Sequence, residues 1–255
     1  YTRITSTKVE VPSLSTCMTG YQPIKFVAPA DFGSDGYNLS YTDLPIIRTA
    51  EIYLNYAEAK VELGTLTKDD LLISIDRIRD RAGMKGLDMA AANANPDPFL
   101  LACYPNVTKS ENTGVILEIR RERTIELVME GLRMWDMFRW KEGAQLVNET
   151  NPYYGIYFSG PGLYDMDGDG RNDLELYVDK QTSSPADGLT VLRIGSDIIL
   201  SDMAENRGYV VAWSTLKYTW NEERDYLWPI PADQRVLTGG LLTQNPGWTD
   251  STDFD

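Results

Sequence analysis

Four aspartates in one short segment supply the clearest chemistry in this sequence. The segment, LYDMDGDGRNDLELYVD, runs from residue 163 to residue 179 and contains Asp165, Asp167, Asp169 and Asp173, with Gly170 between the last two. Carboxylates at successive odd positions can converge once a glycine permits a sharp turn, and oxygen ligands of this kind suit a hard divalent cation. The spacing therefore predicts a calcium site.

The residues that follow decide which kind of calcium loop this is. An EF-hand needs a helix on each side and a bidentate glutamate at loop position twelve. The twelfth residue counted from Asp165 is Leu176, so the EF-hand interpretation fails. Residues 174–179 alternate between apolar and polar side chains, which predicts a half-buried strand after the loop. A solvated acidic turn that binds no metal is the alternative.

A calcium loop that leads into a strand resembles the loop of the FG-GAP repeats of integrin-like propellers. The resemblance implies one backbone ligand, the carbonyl oxygen of Arg171, and four side-chain ligands, Asp165, Asp167, Asp169 and Asp173. Because only one such loop occurs, the sequence excludes a propeller. We expect the calcium ion to hold the loop in shape rather than to perform chemistry.

The composition excludes several classes of protein. The chain has 255 residues, 42% of them apolar, so it can bury a substantial core. It contains no histidine, which excludes Ser-His-Asp and Cys-His catalysis and most zinc sites, and its two cysteines are too few for a metal motif. The net charge of −14 argues against nucleic acid or an anionic membrane surface as a partner, because binding to either depends on basic patches.

The sequence contains no recognisable membrane-spanning or targeting segment. No apolar run approaches the ~18 residues that a membrane helix needs. The first residues, YTRITSTKVEVPS, have neither a basic start nor an apolar signal core, and there is no initiator methionine. We therefore expect the chain to begin within a longer protein, with any targeting signal upstream.

Apolar periodicity predicts a mainly α-helical chain with one insertion of another kind. Five regions follow from the pattern: a helical hairpin over residues 44–83, a long connection over 86–106, a long helix over 113–142, an irregular and β insertion with the calcium loop over 149–220, and an extended segment over 226–248. The hairpin has the size of one tetratricopeptide unit.

End signals support the predicted hairpin. Asp43 can cap the first helix and Gly64 can end it. Thr67 with Asp70 forms a capping box for the second helix, which Gly83 ends. Since the connection is short, we expect the two helices to be antiparallel.

Five ordered stretches resemble the C-terminal half of the SusD/RagB family of Bacteroidetes outer-membrane lipoproteins. They are TGYQPIKFV, DLPIIRTAEIYLNYAEAKVELG, IDRIRDRAGM, ILEIRRERTIELVMEGLRMWDMFRWKEG, and YLWPIP with QNPGW, and together they span roughly residues 19–248 of this chain. The resemblance implies a mainly α fold of tetratricopeptide-like helix pairs. It also implies a non-catalytic protein of the outer membrane, exposed at the cell surface, that captures a glycan and passes it to a TonB-dependent transporter.

The family's N-terminal half lies outside the part of the pattern that this chain matches. That half carries the family's lipidated cysteine and much of its glycan site, so we do not expect Cys17 or Cys103 to be the lipid anchor. The charged residues of the family motifs fit a structural network between helices better than ligand contacts. They are Arg48, Glu51, Glu58, Arg121, Glu122, Glu126, Glu130, Arg133 and Asp136.

Aromatic side chains near the calcium loop are the candidate glycan contacts. Neutral sugars are bound by flat aromatic faces, helped by groups that accept hydrogen bonds from sugar hydroxyls. The predicted contacts, which a metal-ordered loop could present, are Tyr153, Tyr154, Tyr157, Phe158 and Tyr164. The alternative is that these side chains fill a minor core beneath the insertion.

Two other functions stay open from the sequence. A glycosidase would need two carboxylates across a cleft, one with a raised pKa. The 38 acidic residues supply candidates, but those on the predicted helices lie at pairing distance from arginines, which keeps carboxylates ionised. A helical scaffold that binds only a protein partner would have no affinity for any glycan.

Overall fold

A computed structural model describes residues 14, 17–21, 23, 25–26, 43, 45–147, 154–185, 188–213 and 219–249. The chain divides into two compact units. We call Pro45–Asn151 with Tyr218–Asp255 the helical unit, and Tyr1–Leu44 with Pro152–Lys217 the β unit. Helix makes up 35% and strand 13% of the described residues, so helix predominates among them. Within the described residues, no helix is both long enough and apolar enough to cross a membrane.

The helical unit contains nine described helices. They are α1 (Thr49–Glu62), α2 (Lys68–Leu72), α3 (Ile75–Arg81), α4 (Met89–Ala94), α5 (Pro98–Cys103), α6 (Thr113–Glu126), α7 (Arg133–Trp140), α8 (Gly143–Val147) and α9 (Ala232–Leu237). The extended segment predicted over 226–248 therefore includes one short helix, α9.

The region of the predicted hairpin, 44–83, is helical, with two corrections to the predicted helices. The first helix begins at Thr49 after Arg48, and not at Asp43. The second helix is two helices, because Ser74 leaves the helical conformation and its hydroxyl donates to the Asp70 carbonyl four residues earlier, at 2.5 Å. The capping box is confirmed, since the Asp70 N–H donates to Thr67 Oγ1 at 3.2 Å and the Thr67 N–H donates to Asp70 at 2.8 Å.

The long connection predicted over 86–106 contains two short helices. The carboxylate of Asp88 accepts the Ala91 N–H at 3.0 Å and starts α4, and the carboxylate of Asp97 accepts the Phe99 N–H at 2.8 Å and starts α5. Pro98 occupies the first position of α5, where its missing N–H costs no helical hydrogen bond. Each helix has only six residues, which is too short to show a periodicity.

The single helix predicted over 113–142 is also wrong, because the chain breaks between α6 and α7. Met129 and Gly131 adopt left-handed backbone conformations, with φ of 63° and 76°. Such a conformation ends a helix, and glycine adopts it at little cost. Gly131 was the signal of this break within an otherwise helical pattern.

The core of the helical unit joins α1, α3, α6 and α7. Leu54 and Ala57 of α1 are fully buried with Ile75 of α3 and Leu117 of α6. Trp140 at the end of α7 contacts the Tyr104 ring edge to face, with 5.6 Å between ring centroids. Leu54 and Ala57 are three residues apart in α1, so one face of this helix contributes to the core.

Buried ion pairs connect the same helices. Arg123 of α6 donates from Nε to both oxygens of Asp136 at 2.7 Å, and Arg139 of α7 donates to Glu58 of α1 and to Asp136. The Trp140 indole N–H donates to Glu58 at 2.7 Å. Burial raises the pKa of Glu58, but the bonds from Arg139 and Trp140 outweigh it and hold the pKa below its ordinary value. The predicted structural role is confirmed for Glu58 and Asp136, whose partners Arg123 and Arg139 were not in the predicted set.

The described part of the β unit contains two three-stranded sheets. Its strands are β1 (Tyr154–Phe158), β2 (Gly162–Tyr164), β3 (Leu174–Tyr177), β4 (Thr190–Arg193), β5 (Leu200–Asp202) and β6 (Arg207–Val211). One sheet has the order β1-β6-β5 and is antiparallel throughout. In the other, β3 is central, antiparallel to β2 and parallel to β4. All six strands lie within the insertion predicted over 149–220.

The buried pair of Arg123 and Asp136 generates the first testable prediction. Asp136 is 2% exposed, so Arg123→Ala leaves a buried charge without its main partner. Breaking such a pair costs about 3–5 kcal/mol of unfolding free energy, which denaturant unfolding measures. Arg81→Ala is the control, because the Arg81 side chain is 64% exposed and its pair with Glu126 is worth at most about 1 kcal/mol. Equal effects of the two substitutions would contradict this account.

Candidate functional sites in the β unit

The aspartate segment forms the loop of a β-hairpin. Tyr164 at the end of β2 pairs with Leu174 at the start of β3. The Asp173 N–H donates to the Tyr164 carbonyl at 2.8 Å and closes the loop at its base. The prediction that the loop leads directly into a strand is therefore correct.

Asp165 organises the turn through backbone hydrogen bonds. Its two carboxylate oxygens accept the N–H groups of Gly168 at 2.7 Å and Gly170 at 2.8 Å. Both glycines are left-handed, with φ of 77° and 85°, and a larger residue would strain the turn. The N–H of Gly170, with that of Gly168, holds the pKa of Asp165 below its ordinary value, so the carboxylate is ionised at neutral pH.

Three of the four predicted carboxylate ligands converge. Asp165, Asp167 and Asp173 each offer an oxygen, and these three oxygens lie within 4.8 Å of one another. Asp169 is not in this group, and its carboxylate accepts the Arg171 N–H at 2.9 Å. Converging carboxylate oxygens on an accessible loop fit Ca²⁺. Coordination by Asp169 and by the Arg171 carbonyl stays a prediction.

The predicted alternation of buried apolar and exposed polar residues along β3 does not hold at Glu175. Its side chain is buried, and its carboxylate accepts hydrogen bonds from the Thr182 N–H at 2.6 Å, the Thr182 hydroxyl at 2.8 Å and the Ser183 N–H at 2.6 Å. These bonds, led by the Thr182 N–H, lower the pKa of Glu175 to about 2. Through these hydrogen bonds the ionised Glu175 side chain anchors the connection between the parallel strands β3 and β4 to β3.

Three tyrosines form an exposed aromatic cluster on β1 and β6. Tyr154, Tyr157 and Tyr209 are 48%, 55% and 46% exposed. The rings of Tyr154 and Tyr209 stack with 5.4 Å between centroids, and Tyr157 meets Tyr209 edge to face at 5.2 Å. We call this cluster the tyrosine face.

A strand irregularity explains why Tyr154 and Tyr157 share the tyrosine face. Residues three apart on a regular strand point to opposite sides of the sheet. The pairing of β1 with β6 shifts register between these two tyrosines, which resets the alternation and turns both outward. Between them, Gly155 approaches the Thr19 carbonyl so closely that an added Cβ would lie 2.3 Å from its oxygen.

Two of the predicted glycan contacts, Phe158 and Tyr164, are not exposed on the tyrosine face. Phe158 is 2% exposed, and its ring meets the Tyr164 ring edge to face at 4.9 Å in the core of the β unit. The Tyr164 hydroxyl donates to the Gly160 carbonyl at 2.5 Å. Both rings therefore pack inside, as the minor-core alternative predicts for them. Tyr153 lies outside the described residues.

Sequence reasoning missed Tyr209. The local signal was present, since Tyr209 precedes the buried Val210 in an alternating strand and so points outward. Its proximity to Tyr154 and Tyr157 depends on the pairing of β6 with a strand about fifty residues earlier in the chain. That pairing cannot be inferred from the spacing of residues alone.

Comparison with known proteins assigns the chain to a family. The sequence model of the SusD family matches residues 4–248. The chain belongs to the SusD family, as its five motifs predicted. No curated protein matches it.

Two solved structures from Bacteroides fragilis are similar to this chain. One is a SusD-like protein with 24% identity over 80% of this chain and a TM-score of 0.43. The other is a SusD-like carbohydrate-binding protein with 23% identity over 76% of this chain and a TM-score of 0.44. The chain spans only 25% and 27% of the lengths of these two proteins.

Proposed function

We propose that this chain is part of a non-catalytic protein that binds a neutral glycan through the tyrosine face. The observation that carries the proposal is the exposure of Tyr154, Tyr157 and Tyr209 as one cluster on a sheet. Membership of the SusD family supports it, as does the similarity to a protein described as carbohydrate-binding.

Aromatic rings suit the ligand proposed. The faces of pyranose rings carry C–H groups that pack on flat aromatic surfaces, while tyrosine hydroxyls can bond to sugar hydroxyls. An acidic protein with a net charge of −14 repels anionic polymers, which favours neutral glycans.

The family also suggests how the glycan is used. We propose that the protein stands at the cell surface of the outer membrane, held by an N-terminal lipid outside this chain, and delivers its glycan to a TonB-dependent transporter. Family membership is the support for this part of the proposal.

A structural calcium ion belongs to the same proposal. Asp165, Asp167 and Asp173 would hold Ca²⁺ and so fix the hairpin loop between β2 and β3. The ion would only cross-link the loop and would take no part in binding the glycan. The tyrosine face lies on the other sheet of the β unit, so we expect calcium to affect stability more than glycan affinity.

The glycosidase alternative receives less support. Burial raises the pKa of Glu122 and of Glu142, as an acid catalyst requires, but these side chains are only 7% and 1% exposed and could not reach a substrate. Glu58 and Asp136 are paired with arginines. A scaffold that binds only protein remains as the outcome in which no glycan binds.

Substitutions on the tyrosine face test the proposal. We expect Tyr157→Ala and Tyr209→Ala each to weaken glycan binding by about two- to tenfold, because an exposed aromatic contact is worth roughly 0.5–1.5 kcal/mol. Binding is measured by calorimetry against the polysaccharide that the unaltered chain binds best. Melting temperatures should change little, since both rings are about half exposed.

Phe99→Ala is the matched control for these variants. Phe99 is 71% exposed and lies in the helical unit, so its removal should leave glycan affinity unchanged. Unchanged affinity in both tyrosine variants would show that the glycan binds elsewhere. An equal loss in Phe99→Ala would point to a nonspecific effect of removing surface aromatic groups.

Calcium binding has its own test. A ligand that binds only the folded state adds stability, about 2.7 kcal/mol at a hundredfold excess over the dissociation constant. We expect calcium to raise the melting temperature of the chain and not that of Asp167→Asn. Asp169→Asn tests the fourth predicted ligand separately, because its carboxylate lies outside the converging group: a reduced calcium effect would show that Asp169 also coordinates the ion. If millimolar calcium leaves the unaltered chain unchanged and metal analysis finds none bound, the calcium proposal is wrong.

A further inference from the structure

Trp213 has an unusual backbone for a bulky residue. It follows the end of β6 with φ of 53°, in the left-handed region that large side chains rarely adopt. Strained residues of this kind collect at ligand-binding positions, where the surrounding structure maintains them. Burial of the indole does not explain the strained backbone, because the Trp213 side chain is 49% exposed.

A cleft of about 150 Å³ lies against Trp213. Its apolar lining includes Met18, Leu192, Ile198 and Val210. Sites for drug-sized ligands occupy roughly 300–1,000 Å³. The cleft therefore has room for a single ring and not for a longer ligand.

Ser196 and Asp197 also line the cleft. The Asp197 carboxylate accepts the Arg193 N–H at 2.7 Å through one oxygen and the Ser196 hydroxyl at 3.3 Å through the other. These bonds orient the carboxylate and leave it further acceptor capacity. An acceptor held in place beside an apolar lining can orient a ligand that donates from hydroxyl groups.

We propose that the cleft is a subsite for one neutral sugar ring, which packs on the Trp213 indole and donates a hydroxyl hydrogen bond to Asp197. This inference rests on the proposed glycan-binding function and adds a second contact point to it. A ring bearing a carboxylate would be repelled by Asp197 and by the net charge of −14.

The test uses Trp213→Gly in the full chain. Glycine adopts the left-handed conformation without strain, so the variant keeps the backbone geometry and should unfold in a single cooperative transition. Calorimetry is carried out with malto-, cello-, xylo- and mannohexaose. For whichever hexasaccharide binds, the affinity of the variant should be about two- to tenfold weaker than that of the unaltered chain. Trp228→Ala is the control, because its side chain is 60% exposed and lies in the helical unit.

The outcomes separate this inference from the proposed function. Weaker binding by Trp213→Gly, with Trp228→Ala unchanged, supports the subsite. Unchanged binding by Trp213→Gly, while Tyr157→Ala loses affinity, overturns the subsite and leaves the proposed function in place. Tighter binding of polygalacturonate than of every neutral hexasaccharide overturns the assignment to a neutral ring. If no saccharide binds the unaltered chain, both proposals fail.

Discussion

The helical unit depends on one constraint, that charges buried between α1, α6 and α7 must be paired. Asp136 is almost fully buried, and its carboxylate accepts hydrogen bonds from Arg123 of α6 and from Arg139 of its own helix. The Glu58 carboxylate of α1 accepts hydrogen bonds from Arg139 and from the Trp140 indole. An unpaired ion in this place would cost several kcal/mol. These hydrogen bonds join α6 to α7 through Arg123 and Asp136, and α7 to α1 through Arg139, Trp140 and Glu58, so separating the helices would leave buried charges without their partners.

This constraint explains why the charged residues of the family motifs are not candidate ligand-binding residues. Arginines and glutamates at helical spacing usually form a solvated face. Here Arg123, Asp136 and Glu58 lie in the interior, and their partners are all on the same unit. The residues by which the family is most readily identified therefore hold the fold, and the candidate binding groups lie on the less regular β unit.

Features that depend on residues close together in the chain could be predicted from the sequence, and features that depend on residues far apart in the chain could not. The capping box of Thr67 and Asp70 and the strand that follows the aspartate loop depend on neighbours in the chain, and both form as predicted. The break at Gly131 was signalled locally but overruled by the helical pattern on either side of it. Burial of Phe158 and the contact of Tyr209 with Tyr157 depend on strands far apart in sequence, so no spacing could reveal them.

The central claim is that the chain binds a neutral glycan without altering it. Calorimetry of the unaltered chain against a panel of neutral polysaccharides, with and without a chelator, tests this most directly when released reducing ends are assayed in the same samples. The account predicts saturable heat of binding for at least one polysaccharide, in calcium and in chelator alike, and no new reducing ends. Absence of binding across the panel, or release of reducing ends from the polysaccharide that binds, would contradict it.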